Sequence, residues 1–353
     1  MADDLVQQFA DTIRAAAEAK RPLQIRGGGS KAFYGNASAG DDLDVTPYRG
    51  IVNYEPTELV ITARAGTPLA EIEAAMRDKG QMLGFEPPHF GGNATLGGCV
   101  AAGLSGPRQA YAGSVRDFVL GVRMLDGRGS DLHFGGQVMK NVAGYDVSRL
   151  VTGSLGTLGV ILEVSLKALP LPPAELTLCC EQSRGEAIAL MNAWAGKPLP
   201  ITGTCHVQKR LYVRLAGAES AVRAAAKKIG GEEVTNAAEF WRSVRDHHDL
   251  FFSGVRPTWR ISLQSTAPEL DLSGPQLVEW GGALRWLKSD DDAKTVREAA
   301  HKAGGHATLF RRGAPDISAF HPLPETMMRL HRRIKQAMDP AGILNPGRMY
   351  SEW

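Results

Sequence analysis

Two glycine-rich stretches carry the residues in this sequence best suited to chemistry. The first is Arg26-Gly27-Gly28-Gly29-Ser30. The second runs from Thr95-Leu96-Gly97-Gly98 to Gly103-Leu104-Ser105-Gly106. Each follows a short apolar run and exposes main-chain N–H groups with little side chain in the way. Successive N–H groups in a turn form an anion-binding concavity, and glycine lets a ligand come close to the backbone. Two such concavities grip a pyrophosphate from opposite sides, which points to a dinucleotide. On this reading a Cβ added at Gly28 or Gly97 intrudes on the phosphate path.

The first stretch has a rival explanation. Gly27-x-Gly29-x-x-Ala32 fits the loose fingerprint of a Rossmann nucleotide site and follows a short strand. That fingerprint needs a helix directly afterwards, with the pyrophosphate at its N-terminus. Residues 31–40 (KAFYGNASAG) contain turn formers and no helical period. The acidic residues Asp41, Asp42 and Asp44 come too soon after the loop, so the two-loop reading is preferred.

Composition narrows the class. The 353 residues suffice for two or three domains. Lys+Arg of 40 against Asp+Glu of 38 leaves a net charge of +2, which carries no nucleic-acid or membrane footprint. Cys99, Cys179, Cys180 and Cys205 make no Cys-x-x-Cys pair. They read as buried small hydrophobes of a reducing compartment, and cannot hold an iron–sulfur cluster. No signal peptide is expected ahead of Ala2-Asp3-Asp4, and no apolar stretch is long enough for a transmembrane segment. A cytoplasmic location is expected, with peripheral placement at the inner face of the cell membrane only through partners.

The elements that must position the two loops follow from periodicity. Leu5, Phe9 and Ile13 recur at helical spacing. Leu23-Gln24-Ile25 is a short strand feeding the first loop. Ile51 to Tyr54 and Leu59 to Ala63 pair around Pro56-Thr57. Thr67-Pro68 predicts an N-cap followed by proline at the first helical position, with Leu69, Ile72 and Met76 on the apolar face. Phe118 to Leu125, the hairpin signal Asp126-Gly127 and Leu132 to Phe134 form a β-hairpin, and Val160 to Leu166 is a strand. Leu169-Pro170-Leu171-Pro172-Pro173 is expected as a stiff linker and domain boundary. Two loosely repeated groups of strands and helices follow, as an antiparallel sheet covered by helices. A helix from about Pro324 to Met338 leads into a turn-rich tail.

The second loop belongs to a longer ordered pattern: Pro87-Pro88, Thr95 to Gly98, Ser105-Gly106-Pro107-Arg108, Gly113 to Asp117, Lys140-Asn141-Val142-Ala143-Gly144-Tyr145-Asp146, and Gly153 to Ile161. This set resembles the FAD-binding domain of the vanillyl-alcohol oxidase / p-cresol methylhydroxylase (PCMH) family. The likeness covers roughly the first half of the chain plus Asp339-Pro340 to Asn345-Pro346-Gly347. It implies an α+β fold: a two-subdomain PCMH-type FAD-binding domain over 1–170 (subdomains about 1–85 and 86–170), a smaller α+β cap domain over 171–312, and a C-terminal segment, 313–353, packing back on the FAD domain. It further implies FAD contacts from Arg26, Gly27, Gly28, Gly29 and Ser30, from Pro87, Thr95, Leu96, Gly97, Gly98, Gly103, Ser105 and Gly106, and from Tyr145, Asp146, Gly156, Gly159, Val160, Ile161 and Asn345. Several relatives hold the flavin covalently through a first-loop histidine. Ser30 ends that loop here with no histidine or cysteine beside it, so non-covalent FAD is expected.

The whole chain is similar to the E subunits of bacterial glycolate oxidase. That likeness implies a complex with a larger homologous flavin subunit and an iron–sulfur subunit, and oxidation of a small 2-hydroxy acid. A non-catalytic FAD-carrying or assembly subunit is the alternative, because the metal motif of larger relatives is absent and no metal site is expected. A guanidinium suits a substrate carboxylate. Arg311, with Arg312 and Arg260 nearby, is the candidate clamp, and His321 the candidate base. His247-His248-Asp249 is set aside, since neighbours on a helix diverge by about 100°.

Overall fold

The computed structural model describes residues 2–136, 146–311 and 317–352. Tyr145, most of the 140–146 motif and Arg312 lie outside the described residues. The first half contains β1 (Leu23–Arg26), β2 (Asp41–Asp44), β3 (Ile51–Glu55), β4 (Val60–Arg64), β5 (Gln81–Met82), β6 (Val119–Leu125), β7 (Asp131–Gly135), β8 (Val160–Lys167) and β9 (Leu169–Pro170). Its helices are α1 (Ala2–Ala19), α2 (Leu69–Arg77), α3 (Leu96–Ala102) and the short α4 (Gln109–Ala112), α5 (Val115–Phe118) and α6 (Val147–Val151).

β3-β4-β8-β6-β7 form an antiparallel sheet. Period-two alternation divides β8 between two cores. Ile161 packs with Leu69, Ile72 and Met76 of α2 and with Leu96 and Val100 of α3. Val160 and Leu162 pack with Phe9 and Ile13 of α1 and with Leu23 and Leu43 of the parallel pair β1·β2. The strand feeding the glycine loop is thereby fixed against a buried sheet.

The second half contains β10 (Ala174–Glu181), β11 (Ile201–Val207), β12 (Arg210–Gly217), β13 (Glu232–Glu233), β14 (Thr258–Ser262), β15 (Gln276–Glu279), β16 (Leu284–Lys288) and β17 (His306–Arg311). They join in one eight-stranded sheet, β13-β10-β12-β11-β15-β16-β14-β17. One face carries Cys205, Leu277, Trp286 and Phe310, which pack on Tyr34, Ala102, Leu104 and Leu155 of the first half. The other face is covered by α7 (Arg184–Ala195) and α8 (Glu219–Ile229) at one end and by α10 (Ala293–Lys302) at the other. α9 (Ala237–Arg245) places Trp241 and Val244 in the core between the halves.

The sequence-based expectations differ from the structure in three places. The proline-rich linker is sewn into the fold, with β9 pairing with β5 and Leu171 N–H donating to the Gly80 carbonyl at 2.8 Å. Thr67 does not cap α2; its hydroxyl accepts the Gly50 N–H at 2.9 Å instead, and Pro68 occupies the cap. The second repeat has no helix between its first two strands, β14 and β15; turns, bends and irregular segments connect them.

The C-terminal segment starts as α11 (Glu325–Met338) and returns to β1. Lys335 and Asp339 are almost fully buried. The Lys335 ammonium donates to Asp339 Oδ2 at 2.7 Å, to the Thr157 carbonyl at 2.8 Å and to the Leu344 carbonyl at 2.9 Å. Asp339 also accepts the N–H groups of Ile343 and Leu344. Leu344 then bridges Leu23 in parallel. Removing one member of such a pair leaves the other charge buried and uncompensated, which costs about 3–5 kcal/mol, whereas an apolar replacement of both is far better tolerated. Lys335→Met is therefore expected to lose about 3–5 kcal/mol in urea unfolding, and Lys335→Met/Asp339→Leu to recover much of it. A single-variant loss below about 1 kcal/mol would contradict this role for the pair.

Candidate functional site

The first glycine stretch leaves β1 where the sheet ladder ends. Among the described residues, the N–H groups of Gly27, Gly28, Gly29 and Ser30 donate to no protein acceptor. No helix follows; residues 30–36 form turns and bends. The loop is the shared wall of two clefts. One, of about 170 Å³, is lined by the loop with Lys31, Ala101, Leu155, Asn345 and Arg348. The other, of about 830 Å³, is lined by the loop with Asp42, Asp44, Arg49, Gly66 and Asn93. Arg26 to Gly29 and Thr95 border both.

The tail pins this loop at both ends. Leu23 N–H donates to the Ile343 carbonyl, and Asn345 N–H donates back to Leu23. The Asn345 side chain continues the ladder, taking the Ile25 N–H at 2.7 Å and donating to the Leu155 carbonyl at 2.6 Å. Asn345 sits at φ 42°, in the left-handed region that asparagine tolerates better than most residues. Further on, Arg348 donates to the carbonyls of Asn36 and Ala32, and Asn36 donates to those of Gly347 and Met349.

The two expected concavities turn out to be unequal. In the second stretch Leu96 N–H donates to Thr67, Gly97 N–H to Ala65, Gly103 N–H to Cys99 and Gly106 N–H to Phe85. These amides are consumed by the fold. Thr95 caps α3 by accepting the Gly98 N–H, and its hydroxyl presses on Gly27, where a Cβ would lie 2.7 Å away. The expected reason for Gly28 and Gly97 is also corrected. A Cβ at Gly28 would lie 1.4 Å from the Asn93 carbonyl oxygen, and one at Gly97 would lie 2.7 Å from the Ala65 Cβ. Both glycines let protein approach protein. Gly29, at φ +70°, has nothing near its Cβ position, so it is the one that opens on the cleft.

The other expected contacts separate in the same way. Gly98 and Asn345 line the smaller cleft. Pro87 is buried, Gly103 packs on Gly153, Gly156 on Asn345 and Gly159 on Met124. Val160 and Ile161 belong to the two cores of β8. Ser105 accepts the Val115 N–H. Asp146 caps α6 by accepting the Arg149 N–H and pairs with the Arg149 guanidinium. Arg26 is committed to Asp42 at 2.6 Å. Leu155, within the Gly153 to Ile161 motif, lines the smaller cleft, and Arg348, Arg49 and Gly66 line the clefts without having been singled out. Of the latter, Gly66 alone had a usable signal, the Gly66-Thr67-Pro68 turn after a strand.

Free donors, open space at Gly29 and a cleft on either side fit the pyrophosphate of FAD with its two ends diverging. The two clefts together match the roughly 300–1,000 Å³ of ordinary ligand sites.

Arg311 and His321 are not brought together. The Arg311 guanidinium lies over the Phe33 ring at 4.3 Å and over Phe90 at 5.6 Å, and its Nε is buried without a partner. The Lys31 ammonium lies over the same Phe90 at 5.5 Å, its pKa lowered by burial. His321 accepts the Ala307 N–H at 3.4 Å and stands beside His301. Ala307 and Arg311 are four residues apart on β17, about 13 Å at strand rise. His247 is stacked on Phe252 at 3.7 Å, with Trp286 and Phe90 edge-on. Burial holds it neutral, far below the usual histidine range.

Between the two halves, Trp280 Nε1 donates to the Gly106 carbonyl, and Glu86 accepts from Arg108 and Arg214. The cavity there is about 20 Å³, bordered by Ser105, His247, Arg260 and Glu279, which is room for about one water. Burial pushes the Glu279 carboxyl up to about 7, against the opposing hydrogen bond from Trp286 Nε1.

Two outcomes follow. Gly29→Ala should fold at a cost of about 1–2 kcal/mol for a left-handed alanine yet lose at least about tenfold in FAD affinity, read from flavin absorbance after desalting. Gly97→Val should instead lower the melting temperature directly. Unchanged flavin content in a folded Gly29→Ala would contradict the loop assignment. For Glu279, the folded carboxyl keeps its proton where the unfolded one loses it. That stabilisation is complete below about 4.5 and is lost as pH rises through about 7. At 1.36 kcal/mol per unit, roughly 3 kcal/mol is at stake. The melting temperature of Glu279→Gln minus that of the parent should rise from pH 5 to pH 8; a flat difference would refute it.

Comparison with known proteins agrees with this geometry. Residues 5–135 match the FAD binding domain family, and residues 323–349 match the C-terminal domain of FAD linked oxidases. The chain is 52% identical over 349 residues to glycolate oxidase subunit GlcE of Escherichia coli (strain K12), covering 99% of this chain and 98% of that protein. It is 30% identical over 201 residues to glycolate oxidase subunit GlcD of Bacillus subtilis (strain 168), covering 55% of this chain and 42% of that one. Solved structures of alkyldihydroxyacetonephosphate synthase share the fold, with a TM-score of 0.66 at 15% identity over 96% of this chain and 74% of theirs. The chain therefore belongs to the GlcE family of glycolate oxidase subunits, within the FAD-linked oxidoreductases that carry a PCMH-type FAD-binding domain, and FAD is its cofactor.

Proposed function

We propose that this chain is the FAD-carrying subunit of a glycolate oxidase complex that converts glycolate, or a closely related 2-hydroxy acid, to the 2-oxo acid. The run of four unpaired amides from Gly27 to Ser30, in a chain 52% identical to GlcE along its length, supports the reading. We take residues 1–170 as the FAD-binding domain, 171–312 as the cap and 313–353 as the segment that returns to the FAD domain. The amides neutralise the pyrophosphate without a flexible cation, and Asn345 and Thr95 hold the loop that presents them. FAD, when bound, supplies a two-electron acceptor for the hydride leaving C2 of the hydroxy acid. Lys31 and Arg311, flanking Phe90, are the cations placed to hold a carboxylate. We do not assign His321 the hydroxyl proton, since it stands at Ala307, four residues along β17 from Arg311.

The partners in this reading are a larger homologous flavin subunit and an iron–sulfur subunit that takes the electrons onward. FAD is bound non-covalently, since neither histidine nor cysteine stands in the first loop. One observation favours the second reading, an FAD-carrying subunit that does not itself turn over substrate. The cavity between the two halves bordered by Ser105, His247, Arg260 and Glu279 holds about one water, with the rings of Phe90, Trp286 and Phe310 in its wall.

Anaerobic addition of glycolate to the purified chain separates the two. Bleaching of the flavin spectrum is expected for the catalytic reading, and an unchanged spectrum selects the carrier role. Acid precipitation should release intact FAD to the supernatant; colour retained in the pellet would refute non-covalent binding.

A further inference from the structure

A large groove lies away from the glycine loop. It is a groove of about 1820 Å³ at one end of the eight-stranded sheet, between the helical cover of α7 and α8 and that of α10. Sheet register explains its floor. His206 pairs with Val278, and Gln276 stands two residues before Val278 on β15. Gln276 and Trp259 are both registered on Leu287. Side chains directly opposite in a ladder share a face, as do residues i and i+2. His206, Gln276 and Trp259 thus form one row across the sheet, on the face away from the flavin domain.

Each of these three residues is more than nine-tenths buried. Among the described residues, each has a polar atom without a partner: His206 Nδ1, Gln276 Nε2 and Trp259 Nε1. His206 Nε2 lies 3.0 Å from the Gln182 carbonyl and so carries the proton, which leaves Nδ1 an acceptor. One acceptor and two donors thus lie unpaired beneath the groove surface. Buried polar atoms left unpaired are costly.

The rim has the anatomy of a protein interface, with an apolar centre and charged edges. Leu250 is 76% exposed and Val255 is 95% exposed, while Phe251 beside them is buried. Six carboxylates and four cations line the groove. Arg184 pairs with Glu269, and Arg256 with Asp290 at 2.9 Å. Lys288 is buried against the Ser253 carbonyl. Negative charge is left in excess, with Glu181 and Asp291 among its carriers. The volume exceeds the upper end of small-molecule pockets, and the mixed charge does not suit a simple anion.

We propose that this groove is the seat of a partner polypeptide: an extended apolar segment flanked by basic residues, carried by another subunit of the complex. The proposal rests on the reading that the chain works within a glycolate oxidase complex. The apolar segment covers Leu250 and Val255, and its cations face the surplus carboxylates. The groove shares no lining residue with the two clefts at the glycine loop, so a seated partner leaves them open.

The test co-expresses the full chain with the two other subunits of the same organism and follows assembly by size-exclusion chromatography. Leu250→Arg/Val255→Arg changes exposed side chains only. It should keep its flavin content and melting temperature yet bind the complex at least tenfold more weakly. Glu181→Lys should weaken binding less, and the parent should bind more weakly in high salt. If the double variant assembles as tightly as the parent, the groove assignment is overturned and the complex reading stands. If the parent itself never enters a complex, the reading beneath the proposal is overturned. If the chain alone forms a dimer that the double variant abolishes, the occupant is a second copy and the proposal is likewise overturned.

Discussion

The return of the C-terminal segment to β1 is the constraint on which the site depends. A buried ammonium with three oxygen acceptors, and a carboxylate that binds it while also taking two amides, hold residues 335–345 in one arrangement. That arrangement delivers Asn345 to the free edge of β1. There its side chain does the work of a missing strand. Arg348 and Asn36 then tie down the far end of the glycine loop. A loop with four unpaired amides cannot be held by its own hydrogen bonds, so its conformation comes from neighbours more than 300 residues away in sequence.

The second constraint is the contact between the halves. The sheet of the cap meets the flavin domain through aromatic rings, with Phe310 touching Phe33, Tyr34, Phe90 and Trp286. The ionic link of Glu86 with Arg108 and Arg214 crosses the same boundary, and its two guanidinium partners hold the Glu86 carboxyl below its usual range in spite of burial. A packed aromatic seam of this kind resists hinge motion, because interiors at crystal-like density do not deform gradually. The cap is therefore a fixed wall above the loop. That rigidity holds Lys31 and Arg311 against the Phe90 ring.

Much of the fold was legible because it is periodic. Leu5, Phe9 and Ile13 announced α1, Asp126-Gly127 announced the β6–β7 hairpin, and the last helix was readable to within a residue. The glycine loop was legible for the same local reason, since bare amides after a strand need no distant information. The roles within the second stretch were not. Gly97 looks from its neighbours like a phosphate contact, but its amide is spent on Ala65, and its missing side chain makes room for that residue. Arg311 and His321 likewise looked like a clamp and a base, and strand rise puts about 13 Å between Ala307, which holds His321, and Arg311.

By itself the sequence determined the class of the protein, the glycine loop after β1 and the absence of histidine and cysteine from that loop, because these depend on residue type and short-range spacing. Tertiary structure alone decided which glycine amides are spent on the fold and which are left without a protein acceptor. It also decided that Asn345 completes β1, and that an unfilled groove separates the helical covers of the cap. Those outcomes depend on which distant atoms arrive at a given backbone group, and that is settled by packing.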